Sequence, residues 1–331
     1  MAEDDGSVIS LTDKGIIVKY KNGTEKGVYL GRMYGKAEGS VYPHDVISVM
    51  KLNQKFKKGD PVAYNSGFFE PDYYDASKIL WKSGVNLKVA FIDNVETIED
   101  SSVMTSKIST KLTTNTTKVK SYVLEFKQNI RNLVKVGSKV DPNDILFIIE
   151  DETTSNTDVF DDKTIDTLKR ISSRAPTSKF RGTIDRIEVY YNGDKEDMSP
   201  TLRALVNYTD KEIKDREKSV GKEQFTGQVS SDYRVAGSPL LLDTAEIKIY
   251  LNVTTGMGIG DKTVFANQMK SVLGEVVNYD IRTESGDDVD AIFSFRSLAG
   301  RVVLSPLIIG TTTSLLKHIA KKAISLYEGD K

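Results

Sequence analysis

The chain has 331 residues, no cysteine, two histidines and a formal net charge of -1. That length supports two or three subdomains around a sizeable core, while the lack of cysteine, with only His44 and His318 as histidines, excludes a disulfide framework and a metal centre built on Cys or His. The acidic start Met1-Ala2-Glu3-Asp4-Asp5 is no signal peptide, the most apolar stretch (302–309) is too short to span a bilayer, and near-neutral charge argues against a free-standing DNA-binding domain.

In chain order, the first pattern is a hairpin. The runs 15–20 and 26–31 flank Asn22-Gly23, a dipeptide suited to a tight turn between strands. Residues 64–83 are aromatic and irregular, and a short helix is expected over 76–81. Residues 87–93 read as a strand. Residues 107–127 alternate apolar and polar side chains, the period of a strand, and 145–149 form a continuous apolar run suited to a strand buried on both faces. The chain then turns polar from 151 to 178, with a helix expected over 163–171. Residues 182–190 place apolar residues at alternate steps and read as a half-buried strand. The charged stretch 202–222 predicts a helix with a thin apolar face and solvated charges of alternating sign. Residues 245–253 predict a strand. The last element is a helix over 311–327, capped by Thr311 to Thr313. Leu315, Leu316, Ile319, Ala323, Ile324 and Tyr327 fall on one face and Lys317, Lys321 and Lys322 on the other.

The chemistry-bearing stretch is Gly258-Ile-Gly260-Asp261-Lys262, followed eight residues later by Lys270. Two ammonium groups leaving a strand-to-loop corner suit a polyphosphate or the end of a nucleic acid. In a lysine-rich chain that spacing alone is common on solvated surfaces. Adjacent carboxylates stand at Glu99 and Asp100, and a pair of that kind is usually a solvated turn.

Five blocks lie in one order along the chain: Lys57-Lys58-Gly59-Asp60-Pro61-Val62-Ala63; the apolar run from Leu87 that ends in Glu99-Asp100-Ser101; Val140-Asp141-Pro142-Asn143-Asp144-Ile145-Leu146; Gly260-Asp261-Lys262 with Lys270; and Asp290 with Arg301 eleven residues on. From about residue 55 to about 320 this order resembles the C-terminal part of the β subunit of multisubunit DNA-directed RNA polymerases. Departures occur inside the motifs. Ala266, Asn267, Gln268 and Met269 stand where the family has Arg-His-Gly-Asn, and Ser271 stands where it has Gly.

The resemblance implies a β-rich α+β fold: a double-psi β-barrel with an inserted β-rich flap and a C-terminal helix. It implies a β-rich N-terminal segment over 1–59, the first barrel half over 60–117, the flap over 118–249, the second barrel half over 250–310 and the helix over 311–331. It implies that Lys262 and Lys270 face the RNA 3′ end and the incoming nucleotide in a catalytic role, that Arg301 binds the triphosphate, and that Glu99 and Asp100 help hold a second, weakly bound Mg²⁺. The family's main Mg²⁺ site is an Asp-x-Asp-x-Asp run on the β′ chain, and this chain has no such run. The expected protein is thus a split β fragment, inactive alone, similar to those of giant tailed phages. Its expected partners are an N-terminal β fragment, β′ fragments, template DNA, RNA, nucleoside triphosphates and a promoter-specificity factor, with no membrane. It is expected in the host cytoplasm or packaged in the virion.

Two alternatives compete. Gly256-Met-Gly-Ile-Gly-Asp261-Lys262-Thr263 nearly fits a P-loop, with Asp261 where glycine is needed, which would make the protein a P-loop-like NTPase. The other alternative is a phage structural protein without catalysis.

Overall fold

The computed structural model describes residues 1–331 except Glu38, Tyr74, Ala76, Ser83, 152–174, Gln224, Phe225, Asn267, Val302, Val303, Asp330, Lys331 and the side chain of Arg301. The protein is β-rich, with a curled half-barrel sheet and a long C-terminal helix. It divides into two units, one of residues 1–82 and 115–254, the other of residues 83–114 and 255–331. The segment expected as a flap, 118–249, lies in the first unit with the N-terminal 82 residues. The expected barrel segments lie mainly in the second, apart from 60–82, 115–117 and 250–254.

The first unit begins with the hairpin expected from Asn22-Gly23. Gly15–Tyr20 pairs with Glu25–Tyr29 in antiparallel register, and Gly23 turns the chain at φ +86, a conformation open to glycine. Gly6–Leu11 and Lys55–Phe56 complete a four-stranded sheet around Val8, Ile16, Val18 and Phe56. A second sheet has seven strands, with Gly182–Asn192 and Thr244–Gly256 at its centre. Their pairing slips between Ile184 and Arg186. The strand therefore does not hold one phase of alternation: Ile184 points into the core before the slip, and Val189 and Tyr191 do so after it.

The opposite face of these two strands is not open to water in the manner of a simple half-buried sheet. Arg186, Glu188 and Tyr190 stand across from Tyr250, Lys248 and Glu246 in register. Glu188 accepts hydrogen bonds from Tyr250 (2.8 Å) and Tyr190 (3.0 Å) and pairs with Arg186 (3.3 Å) and Arg216 (3.4 Å). Tyr233 donates to Glu246 at 2.6 Å, and the Lys248 ammonium lies over the rings of Tyr190 and Tyr233. Each buried carboxylate thus has partners, as burial of charge requires.

The charged stretch forms the helix Pro200–Lys218, with Ser199 as its cap and Pro200 in the first turn, where a missing N–H costs nothing. Its charges are not all solvated, contrary to expectation. Asp210 and Glu217 are buried with Leu202, Val206 and Ile213. Asp210 accepts hydrogen bonds from Gly227 N–H (2.6 Å), Tyr191 (3.2 Å) and Lys195, while Glu217 accepts one from Tyr29 at 2.6 Å.

Three further expectations change. Residues 79–81 are a strand, Ile79–Trp81, and not the end of a helix; it pairs with Phe69–Pro71, and Trp81 meets the edge of Phe69 at 5.2 Å. The 107–127 stretch opens with the short helix Ser106–Ser109 before the strand Thr113–Glu125. The 145–149 run contributes Leu146, Phe147 and Ile149 to the core, although the strand itself is Ile148–Glu150. The helix expected over 163–171 lies outside the described residues.

The second unit is a five-stranded mixed sheet. In spatial order its strands are Val89–Phe91, Ala291–Phe293, Ser101–Thr105, Met269–Val277 and Lys262–Phe265. Met104, Ile108, Leu273 and Phe293 form its core. Asp290 ties the sheet together: its carboxylate accepts from Lys88 N–H at 2.9 Å and its carbonyl from Thr105 N–H at 3.0 Å. The C-terminal helix is longer than expected, Ser305–Gly329, and Thr311 lies inside it. Pro306 fits the first turn, and Gly310 lowers helix propensity without stopping the helix. Among the described residues no helix is long and apolar enough to cross a membrane.

Candidate functional site

The two lysines singled out above lie on one β-hairpin. Lys262–Phe265 pairs antiparallel with Met269–Val277, with Lys262 opposite Val272 and Val264 opposite Lys270. Strand alternation then decides which side chains go in. Phe265, Met269, Ser271 and Leu273 are buried, whereas Lys262, Val264, Lys270 and Val272 are exposed together on the other face. The lysines occupy one diagonal of that face and the valines the other. Diagonal neighbours across an antiparallel pair stand about 7–8 Å apart, within reach of one phosphate group.

The turn before the hairpin explains the Gly-Asp that precedes Lys262. Gly260 adopts φ +90, and the Asp261 carboxylate accepts the Gly258 N–H at 2.8 Å. Gly260 N–H donates to the Leu273 carbonyl (2.8 Å), and Leu273 N–H donates to Asp261 (2.9 Å). Lys262 therefore leaves a turn locked to the neighbouring strand. Lys262-Thr263 opens a strand and not a helix, so the loop lacks the helix N-terminus that a P-loop uses to hold phosphate. Asp261 also occupies a backbone donor that such a loop would offer to its ligand.

A distant segment completes the site. Ser101–Thr105 runs parallel to Met269–Val277, and the Asp100 carbonyl accepts both Val272 N–H (3.0 Å) and the Ser271 hydroxyl (2.7 Å). Asp100, Lys262, Val264, Lys270 and Val272 thereby line one shallow concavity. Glu99 is exposed at φ +54 and does not line it; the Ser297 hydroxyl donates to its carbonyl. Arg301 is the last residue of the helix Phe295–Arg301, which this contact ties to the Glu99 segment.

Sequence reasoning did not find the residues that hold this geometry. Asp93 accepts hydrogen bonds from the Ser294 hydroxyl (2.9 Å) and Arg296 N–H (3.3 Å) at the start of the Phe295–Arg301 helix. The Ser294 hydroxyl, with Arg296 beside it, holds the Asp93 carboxyl below its usual value of 3.8. Ser294 also caps the helix by accepting Ser297 N–H at 3.2 Å. That spacing, a serine three residues before the donor, is a cap signal visible in the sequence. Gly274 stands where the 96–101 segment runs close beside the hairpin, and a Cβ there would lie 2.2 Å from Ser101 Oγ and 3.2 Å from the Glu96 carbonyl.

Asp100 lines the concavity and Glu99 does not. Among the described residues no three carboxylate, histidine or cysteine groups converge on one point. A hard cation such as Mg²⁺ takes near-octahedral oxygen ligands. Asp100 is the one acidic residue lining this concavity, beside two lysines, so the main ligands would have to come from elsewhere. The arrangement suits electrostatic work: two lysines and two valines share one face of a paired hairpin, and Asp100 lines the same concavity. No protein-family model matches the chain, and no curated protein matches it.

Proposed function

We propose that this chain is the C-terminal β fragment of a multisubunit DNA-directed RNA polymerase. In this reading residues 60–117 and 250–310 form the two halves of a double-psi barrel, and most of each lies in the second unit. Lys262 and Lys270 lie against the RNA 3′ end and the incoming nucleoside triphosphate, and Arg301 holds triphosphate oxygens. One observation supports the reading above the others: residues 101–105 and 269–277, far apart in sequence, lie side by side, so that Asp100 shares a concavity with both lysines. The resemblance joins these same segments in one site.

The chemistry asked of this chain is positioning and charge neutralisation. Phosphoryl transfer gains most from positive groups held where negative charge develops, and a paired strand holds them better than a loop. The aspartates that hold Mg²⁺ for the reaction would lie on a β′ chain, so β and β′ fragments, template and RNA are obligatory partners, and a promoter-specificity factor is an optional one. The place of work is the host cytoplasm, with packaging in a virion as a second location.

The test is nucleotide incorporation on a primed template. The purified chain alone is expected to show none, and activity is expected only after assembly with polymerase partners. Incorporation by the isolated chain overturns the proposal, as does its co-purification with capsid or tail proteins and no polymerase chain. ATP hydrolysis by the chain alone would instead favour the P-loop reading.

A further inference from the structure

The strand Thr113–Glu125 carries Lys118 and Lys120 on one face, in step with the buried Leu124. Their stems leave it about 6.8 Å apart, two steps along an antiparallel strand. Both ammonium groups reach the ring of Phe180, at 5.4 Å and 5.6 Å from its centroid. Phe180 packs against the core of the first unit, so one ring fixed from behind holds both charged ends. Both lysines are half-buried.

What sets the pair apart is the lack of a counter-charge. Arg186, Lys195 and Lys248 also lie over aromatic rings, and each has a carboxylate partner: Glu188, Asp210 and Glu246. Among the described residues no ion pair joins Lys118 or Lys120 to a carboxylate. Two like charges held to one ring repel each other, and half-burial weakens the screening that water and salt give to exposed lysines. We infer that Lys118 and Lys120 form an anion site for phosphate in the first unit, separate from the lysine hairpin of the second. Charge favours phosphate over carboxylate. A phosphomonoester brings about two negative charges on one compact group. Two successive phosphodiesters of a nucleic-acid strand bring the same number. A carboxylate brings one and leaves half of the pair unmatched. Lysine suits the task, as a compact point charge that binds phosphate without needing a planar partner.

The experiment is trace acetylation of the full chain at neutral pH, with the labelling of each lysine read by peptide mass spectrometry. It is run with pyrophosphate, with a short single-stranded DNA, or with acetate, at matched ionic strength. Lys118 and Lys120 are expected to be protected severalfold by pyrophosphate, by the DNA, or by both, and not by acetate. Protection by the DNA alone assigns the phosphates to a strand; protection by pyrophosphate alone assigns them to a small ligand. Lys51 and Lys55, exposed on the same unit, report general screening and should label alike throughout. Lys118→Gln should raise the half-protecting concentration at Lys120 about tenfold, and Lys120→Gln should do the same at Lys118, because a doubly charged ligand needs both. Four results overturn the inference: no protection from either phosphate ligand; equal protection by acetate; equal protection of Lys51 and Lys55; or a half-protecting concentration unmoved in both variants. The first three need only the native chain, so they hold even if a variant fails to fold. Lys262 and Lys270 are read in the same spectra, so failure at this pair and failure at the hairpin are separate results.

Discussion

At the residue scale the hairpin separates two kinds of position: those that shape it and those that can act. Lys262 and Lys270 are exposed and contribute little to the core, so Lys262→Ala and Lys270→Ala should leave assembly intact. On the proposed polymerase reading, each should slow single-nucleotide extension in the reconstituted assembly by about two to three decades, the scale of losing one positive group at a phosphoryl-transfer site. The double variant should cost less than the sum, because both groups act on one charge cluster. Wild-type rates from both alanine variants would return these lysines to the solvated surface. Arg301→Ala is expected to raise the apparent nucleotide KM roughly ten- to a hundredfold, the worth of a charge-assisted contact; an unchanged KM counts against a triphosphate contact. Gly274 is different in kind. Its α-hydrogen faces Ser101 and the Glu96 carbonyl, and the carbonyl cannot rotate away. Gly274→Ala should therefore destabilise the protein by about 1–3 kcal/mol, read as a lower denaturant midpoint. A midpoint equal to that of the native protein would show that the two segments are not held this closely.

At the element scale the helix Pro200–Lys218 shows what charge alternation conceals. Read from sequence, its lysines and acids form a solvated surface. In the fold, Asp210 turns inward, where Gly227 N–H, Tyr191 and Lys195 converge on it. Asp210→Ala leaves a buried backbone donor and a tyrosine hydroxyl without this acceptor. The expected loss is about 2–3 kcal/mol, below the full cost of breaking a buried pair because Lys195 is partly exposed. Lys211→Ala, on an exposed position of the same helix, should stay within about 0.5 kcal/mol. Equal losses from the two in urea unfolding would mean that the Asp210 network adds nothing.

At the scale of the whole molecule, acid tests the polar face that covers the seven-stranded sheet. Burial alone would raise the pKa of Glu188. The Tyr250 hydroxyl, the positive Arg186 and Arg216, and the Tyr190 hydroxyl outweigh it and hold the carboxyl below its ordinary 4.5. Asp45, hydrogen-bonded by Arg32, lies below its ordinary 3.8 for the same kind of reason. A carboxylate with a lowered folded pKa stabilises the fold above its unfolded pKa, and that stability drains away as pH falls through the folded value. The denaturation midpoint should therefore be flat from neutrality to about pH 5 and fall below pH 4.5. Glu188→Gln should lower the neutral midpoint and flatten the acid limb. An acid limb as steep in the variant as in the native protein would remove Glu188 from this account.

Local signals carried much of this protein. Asn22-Gly23 marked its hairpin, the apolar run through Leu146, Phe147 and Ile149 marked core, and the 3.6-residue spacing of Leu315, Ile319 and Tyr327 marked the last helix, because turn chemistry and periodicity act between near neighbours. Where the helix begins was not legible: Thr311 looked like a cap, yet Pro306 opens the first turn. The phase of Gly182–Asn192 was not legible either, since a slip in pairing depends on the partner strand. The lysines could be singled out from sequence, but not their placement on one face of a hairpin beside Asp100. Of the supports of the site, the Ser294 cap has a local signal, but the Asp93 contact to Ser294 and the close approach at Gly274 were beyond local patterns for the same reason. Their partners lie far away in the chain, and only folding brings a carboxylate, a helix start and a neighbouring parallel strand together.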